Sequence, residues 1–599
     1  MYPKLSFERP GAYIMSVSKA PSRVVRFGVF ELDSQARELR KRGLRLKLEE
    51  KPLQVLELLL ERPGEIVARK QLQEKLWPNT FVNFDYSLNT AVNKLRQALG
   101  DSAESPRFVE TVSRRGYRFI ASVAAAASVT PAPLQSQPGV TSIAILPFQN
   151  SSGESEMEYL SDGITEAIIH SLSRMPGVRV IAWNTVLRHK GREVDPQTTG
   201  RDLRVQVVLV GKISQRGDAL TMSAELVDVD TGWRLWGEQY NRQPSDIFGL
   251  QEEIAREISE KLRLRLVGND MKRLAKRYTE NLEAYSDYLK GRYHWHKLSE
   301  DGFRKSVAYF QEAIGKDPNF ALAYSALADA YILFAFASLL PPQEVIPLAQ
   351  HAALKALAID EELAEAHASL ASIRKAYDWD WFAAEREYKR CLELNPNNAL
   401  GHREHADFLS ALGRTGDAMD EIHRAQELDP LSLVVRAEVA WILYMAKDYA
   451  RSIEQSLKTL EMEPEFPSAH YTLGLALEQM GRYEEAITAF GKARDLSEAN
   501  SLTLACLGHA YALAGRRDGA ITILEELKKP SEQRYISPYS LAIVYTGLGE
   551  KDLGIEWLGK ALEAHDVWLV WLKRDPRLDP LRSDPRFPDL LRRMNFPDD

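Results

Sequence analysis

The residue types able to do chemistry in this chain gather in one short stretch, residues 85–120. Leu88, Val92, Leu95 and Leu99 recur at helical spacing and predict one buried stripe. Ser87, Thr90, Ala91 and Lys94 fall on another face of the same helix, as short side chains with a single cation. Such a face suits close approach to a DNA major groove, where a few polar groups must reach base edges. After a short connector, Arg114, Arg115 and Gly116 form the tip of a two-stranded ribbon. A basic tip of this kind can touch phosphates or enter the minor groove.

Catalytic constellations are not found elsewhere. The sequence has no GxxxxGK[ST], no GxGxxG after a strand, no GxSxG and no CxxC. His402-Arg403-Glu404-His405 fits neither HExxH nor HxxEH, and His294-Trp295-His296 reads as part of a helical repeat. Asp162, Asp228 and Asp230 stand where turns and helix starts are expected, so they read as caps rather than metal ligands. Cys391 and Cys506 lie far apart in helical segments, which argues for buried thiols in a reducing compartment and against a disulfide framework. No cofactor or metal is expected.

The elements that must hold the basic stretch precede it. VVRFGVFEL (24–32) alternates as a strand, and residues 36–48 offer two more short strands about Gly43. Residues 52–61 predict a helix with Pro52 in its first turn, and residues 69–77 a second helix with Leu72, Leu76 and Trp77 inward. Together with Leu95-Arg96, Thr111-Val112 and Gly116-Tyr117-Arg118-Phe119, this pattern resembles the OmpR/PhoB-type winged-helix DNA-binding domain over residues 24–122. The resemblance implies base and phosphate contacts from Ser87, Thr90, Ala91, Lys94 and Arg96, with Thr111 and Ser113 at the wing. Some family members carry arginine where Ser113 stands, so Arg114 or Arg115 can take over that contact. It also implies that the loop 78–85 can meet RNA polymerase or a neighbouring subunit. Phe81 and Phe84 there read first as core residues and second as exposed anchors.

Charge is unevenly spread. The chain carries −7 overall, yet residues 22–123 hold 19 Lys and Arg against 13 Asp and Glu. A basic module on an acidic body suits a DNA reader whose other parts avoid DNA. Residues 1–22 read as a loose leader with no signal-peptide pattern, and no phosphoacceptor receiver domain is expected before the first strand. No apolar run reaches the length of a membrane span, so a cytoplasmic, soluble protein without membrane contact is expected. CadC/ToxR-like relatives of the winged helix have a membrane helix after it. Here residues 124–140 read instead as an Ala-, Ser- and Pro-rich linker.

Residues 141–268 predict an α/β domain. Strands are expected over 142–148, 178–183, 205–213, 219–229 and 233–240, and helices over 157–175, near 198–203 and over 247–266. Ala144-Ile145-Leu146-Pro147-Phe148, Ser161-Asp162-Gly163, Gly211, Thr231-Gly232 and Trp236 resemble the TolB N-terminal-like module. That resemblance implies a fold and no chemistry. From residue 281 to 565 the chain is repetitive: Pro396, Pro430 and Pro464 are 34 apart, Glu498 takes the next step, and Pro318 and Glu361 mark earlier ones. Gly474, Gly481, Tyr483, Ala486, Phe490 and Ala493 resemble the tetratricopeptide pattern, which Gly508, Tyr511, Gly515 and Ala520 repeat. Residues 566–599 read as a cap shielding the last repeat.

The expected fold class is therefore multidomain, α+β and all-α: a winged helix (23–123), a central α/β domain and a C-terminal α-solenoid. The expected function is a sequence-specific regulator that binds double-stranded DNA, often as a dimer. An unknown protein or peptide would sit in the repeat groove, and the α/β and repeat domains would take up the signal. A repeat scaffold whose winged helix docks proteins is the rival reading. An enzyme hidden in the α/β domain is the third.

Overall fold

The computed structural model describes residues 24–125 and 140–597, except 28–29, 34–36, 42–43, 47, 78–83, 104–105, 113–114, 122, 153–155, 176, 193, 217–218, 244–245, 263–275, 277, 298, 498–500 and 530–534. The chain divides into two compact units, Met1–Gln137 and Pro138–Asp599.

In the first unit, β1 (Val24–Phe27), β2 (Phe30–Asp33), β3 (Glu38–Lys41) and β4 (Leu44–Leu46) form an antiparallel meander. Three helices follow: α1 (Glu50–Glu61), α2 (Arg69–Leu76) and α3 (Phe84–Leu99). Between α1 and α2 lies β5 (Ile66–Ala68), and after α3 come β6 (Val109–Val112), β7 (Gly116–Phe119) and β8 (Val123–Ala125). β6 and β7 make the wing with β5 on the other side of β7, and β8 returns to pair with β1. Strands β5 and β8 have no counterpart in the sequence reading. Three residues each are too few to show an alternation. α1 starts two residues earlier than expected, and Pro52 still lies in the first turn, where a missing N–H costs nothing.

Leucines of all three helices meet the rings of Phe27, Phe30, Phe108 and Phe119 in one core. Phe84 is half-buried and packs edge-on against Trp77, as a core residue would. Phe81 lies outside the described residues, as do residues 126–139 of the expected linker.

The second unit opens with an α/β layer. Its strands are β9 (Ser142–Ile145), β10 (Gln149–Asn150), β11 (Arg179–Val180), β12 (Val207–Arg216), β13 (Ala219–Asp228) and β14 (Arg234–Arg242). They order as β11-β9-β12-β13-β14, with β9 parallel to both neighbours and β12 to β14 an antiparallel meander. Helices α4 (Glu156–Ser173), α5 (Trp183–Leu187), α6 (Pro196–Asp202) and α7 (Ile247–Lys261) complete it. The strand expected over 178–183 is only two residues long, because α5 begins at Trp183. Asp228 behaves as a cap: its carboxylate accepts from the N–H and hydroxyl of Thr231. Asp162 does not; it accepts from Lys190.

Helix pairs then stack from α8 (Leu282–Trp295) to Lys551–Glu563. The 34-residue marker has a physical role. Imidazole nitrogens of His367, His402 and His470 bond the carbonyls of Glu361, Pro396 and Pro464, at 3.0, 3.1 and 2.8 Å, and Arg436 donates to Pro430 at 3.0 Å. Each of these four carbonyls, just past a helix end, thus finds a partner six residues on. Glu498 lies outside the described residues. Gly474 allows the helices of its pair to close, since a Cβ there would meet Phe490 at 2.7 Å.

The α/β layer seats on the corners between repeats. Asn397 donates to the carbonyls of Ser173 and Val178, Arg179 to that of Glu427, and Thr185 to the Asp429 carboxylate.

The C-terminal segment departs from expectation. It does not cap the last repeat alone but runs across the first helices of many repeats. Trp568 meets Phe336, Trp571 meets Trp441, Arg574 donates to the carbonyl of Leu412, and Asp579 pairs with Lys447. Further on, Phe596 stacks on Trp381, whose indole donates to the carbonyl of Met594. At its centre a buried pair, Arg577 with Asp575 at 2.6 Å, is bonded by the hydroxyl of Tyr539 and touches Cys506. The face where a peptide was expected to lie is thus covered by the chain itself. A run of residues so rich in proline and aspartate hides its Leu578, Leu581 and Phe587 anchors from periodicity.

Candidate nucleic-acid interface

α3 is held on three sides. Its apolar stripe, Leu88, Val92, Leu95 and Leu99, enters the core of the first unit. At its start, Arg69 of α2 pairs with Asp85 at 2.7 Å, and the Tyr117 hydroxyl of β7 donates to Asn89 at 2.7 Å. Toward its end, Arg96 is 6% exposed and donates to the carbonyl of Val109, at 2.7 and 3.2 Å, and to the hydroxyl of Thr111 at 2.8 Å. These bonds tie the helix to the wing. After α3, the Asp101 carboxylate accepts four backbone N–H bonds, from Ser102, Arg107, Phe108 and Val109. Burial alone would raise its pKa; those four bonds outweigh it and hold the group below its ordinary value.

Two expected contacts are thereby corrected. Arg96 is a buried tie to the wing: three of its five guanidinium N–H groups go to Val109 and Thr111, so it does not stand free on the surface as the expected phosphate contact would. Ala91 is 4% exposed and packs in the core, so it cannot read a base edge. Thr111 is exposed but its hydroxyl oxygen accepts from Arg96. Ser87 is half-buried, and Thr90 donates its hydroxyl to the carbonyl of Tyr86 at 2.8 Å. Lys94 is exposed and pairs with Glu49 at 2.6 Å. Such a surface pair is worth about 0–1 kcal/mol, so a phosphate can replace the carboxylate. Arg115 is exposed in the turn between β6 and β7, at the tip of the wing, and Ser113 and Arg114 lie outside the described residues.

The outward face that α3 presents is Tyr86, Thr90, Asn93, Lys94 and Gln97, with Tyr86 74% exposed. Tyr86, Asn93 and Gln97 were missed by the sequence reading, although their spacing of seven and four places them on one face. Asn and Gln side chains carry a donor and an acceptor side by side, the arrangement that bonds adenine in the major groove. Gly116 is what brings the wing close: a Cβ there would stand 2.0 Å from the carbonyl oxygen of Val67 in β5.

Other candidate residues have structural employment. His402 and His405 both face Glu421, at 2.5 and 3.1 Å, and Cys391 and Cys506 are buried free thiols. Among the described residues no cluster of three His, Cys, Asp or Glu could hold a metal, and no helix is long and apolar enough to cross a membrane.

Three families match separate stretches of the chain. The family described as transcriptional regulatory protein, C terminal, matches residues 43–119. The second domain of HilA/YgeH-like transcriptional regulators matches 139–266, and a tetratricopeptide repeat matches 467–500. The match over the central domain does not support its likeness to the TolB module. The transcriptional regulator HilA of Salmonella typhimurium is 25% identical over 545 residues, 88% of this chain and 92% of that protein. A Rhizobium meliloti protein, provisionally named adenylate cyclase 3, is 34% identical over 191 residues, so the chain spans only 32% of its length. Among solved structures, the Klebsiella pneumoniae RstA DNA-binding domain, in complex with the RstA box, is 29% identical; the match covers 16% of this chain and 96% of that one, with a TM-score of 0.16. The chain thus joins an OmpR/PhoB-type winged-helix domain to a HilA/YgeH-like second domain and tetratricopeptide repeats, the domain set of a DNA-binding transcriptional regulator.

Proposed function

We propose that the chain regulates transcription by reading double-stranded DNA sequence with the outer face of α3. In this reading Thr90, Asn93 and Gln97 meet base edges, Tyr86 and Lys94 meet the backbone at the groove rim, and Arg115 with its neighbours Ser113 and Arg114 meets the adjacent strand. The observation that supports it best is the pair of exposed amides, Asn93 and Gln97, beside a lone cation on a helix locked to its wing. Two copies would occupy paired sites, and residues 78–85 would contact polymerase or the neighbouring copy, as the family resemblance implies. The chain performs no catalysis itself; its α/β layer and repeats take up the signal. Because the C-terminal segment covers the first helices of the repeats, protein partners would dock on other faces.

Selection of genomic fragments by the purified chain tests the proposal. Discrete sites are expected, with Asn93→Ala relaxing preference at one or two positions by about 1–3 kcal/mol each. Binding that follows fragment length and salt alone, unchanged by Asn93→Ala, would leave a protein-docking winged helix as the better account.

A further inference from the structure

α4 and α8 meet along a seam where Gly163 is pressed by Leu289: a Cβ at 163 would stand 2.4 Å from Leu289 Cδ1. Beside this seam lies a partly enclosed cavity of about 210 Å³. Its walls include Asp162 of α4, Trp183 and Lys190 of the α5 region, and Arg292, His296 and Lys297 at the end of α8. Four polar atoms of these residues are buried without a hydrogen-bond partner among the described residues: Asp162 Oδ1, Trp183 Nε1, Arg292 Nε and His296 Nε2. Buried polar groups are normally paired, so four on residues that line one cavity are groups a polar ligand there can satisfy.

The charges narrow the ligand. Lys190 is matched by Asp162 at 2.6 Å and Glu158 at 2.9 Å, and the Arg292 guanidinium is matched by Glu166. Lys297 has no carboxylate partner among the described residues; its ammonium lies 4.7 Å over the Tyr293 ring. Burial, helped by Arg292, holds the His296 pKa down to about 3, so its imidazole is neutral and adds no charge. What remains is two N–H donors, one cation without an ion pair among the described residues, one neutral imidazole and one carboxylate oxygen. A doubly charged phosphate would meet two carboxylates for a single cation not held in an ion pair. Trp183, Tyr293 and Leu289 add apolar wall, and the volume is below the usual 300–1,000 Å³ of drug-sized sites.

We propose that this cavity binds a compact, monoanionic aromatic carboxylate bearing a hydroxyl, its carboxylate on Trp183, Arg292 and Lys297 and its hydroxyl on Asp162. The inference rests on the reading of residues 138–599 as the input side of a regulator, and it gives that side a ligand. The site lies where the HilA/YgeH-like domain meets the first repeat, so occupancy biases the fit of those two parts.

Calorimetric titration of the full chain at pH 7 with 4-hydroxybenzoate, its methyl ester and 4-hydroxybenzylamine tests it. Saturable one-to-one binding of the acid is expected, with the ester and the amine weaker by about tenfold or more. Trp183→Phe removes the unpartnered N–H together with the five-membered ring that carries it. It should weaken the acid by about tenfold, and because Trp183 is a core residue of the α/β layer the unliganded chain's thermal midpoint should fall with the lost packing. Lys297→Gln, an exposed change, should weaken the acid and spare the ester, and carries the test if Trp183→Phe does not fold. No binding of the acid, equal binding of the amine, or full affinity in both variants would overturn the proposal. DNA selection by the same preparations is read separately, so failure of the ligand site and failure of the DNA-reading account are distinguishable.

Discussion

Arg96→Ala separates a structural tie from a DNA contact. The guanidinium makes three bonds, two to the Val109 carbonyl and one to the Thr111 hydroxyl, from a residue 6% exposed. A hydrogen bond to a charged group contributes about 1.5–3 kcal/mol. The three share one side chain, and exposed Thr111 can bond water instead, so they do not add in full. The expected loss is about 2–4 kcal/mol of winged-helix stability. Lys94→Ala, at an exposed ion pair, should cost no more than about 1 kcal/mol. Urea unfolding of residues 1–137, a compact unit with its own core, measures both. DNA binding at several salt concentrations is then read on the folded fraction. The dependence on salt should keep its slope in Arg96→Ala, whereas loss of a phosphate contact would reduce the slope by about 0.9. An Arg96→Ala domain as stable as the parent, with a shallower slope, would refute the assignment and restore Arg96 as a phosphate ligand.

Further outcomes follow from the same geometry. Gly116→Ala puts a Cβ 2.0 Å from the Val67 carbonyl oxygen, and backbone on both sides leaves little room to yield. Unfolding of residues 1–137 should show a loss of about 1–3 kcal/mol or more, and DNA binding should fall with the displaced wing. Asp101 has a folded pKa below its unfolded value, so its contribution is present above about pH 4 and is lost as pH falls through the folded pKa. Asp101→Asn should therefore lower stability at pH 7, and the gap to the parent should close under acid titration. Arg577→Ala breaks a fully buried pair and should destabilise the repeat unit in urea by about 3–5 kcal/mol; adding Asp575→Leu should recover part of that loss.

The winged helix was legible because its signals are local: an apolar stripe at helical spacing, a Gly-Tyr-Arg-Phe strand and a basic tip. The identity of the reading face was only half legible. Ala91 and Arg96 sit at the edge of the apolar stripe, and whether an edge residue points inward depends on what packs there. Here β6 offers Val109 and Thr111 to Arg96, a contact 13 to 15 residues away that no periodicity encodes. Tyr86, Asn93 and Gln97 lie within reach of a helical wheel, but the small side chains of Ser87, Thr90 and Ala91 carry the same sign of close approach and point to a neighbouring face. The repeats were legible through their 34-residue marker, now explained by carbonyls that His367, His402, Arg436 and His470 bond. The C-terminal segment was not: its anchors insert between distant repeats, and sequence shows only a proline-rich end.

The central claim is that α3 reads base edges while its fastening to the wing is structural. Genome-fragment selection by the parent chain, Asn93→Ala and Lys94→Ala, each at two salt concentrations, tests it most directly. The account expects discrete selected sites, a relaxed base preference in Asn93→Ala, and in Lys94→Ala a uniform weakening with the slope against salt reduced by about one. Selected sites that neither change affects, or no selected sites at all, would contradict it.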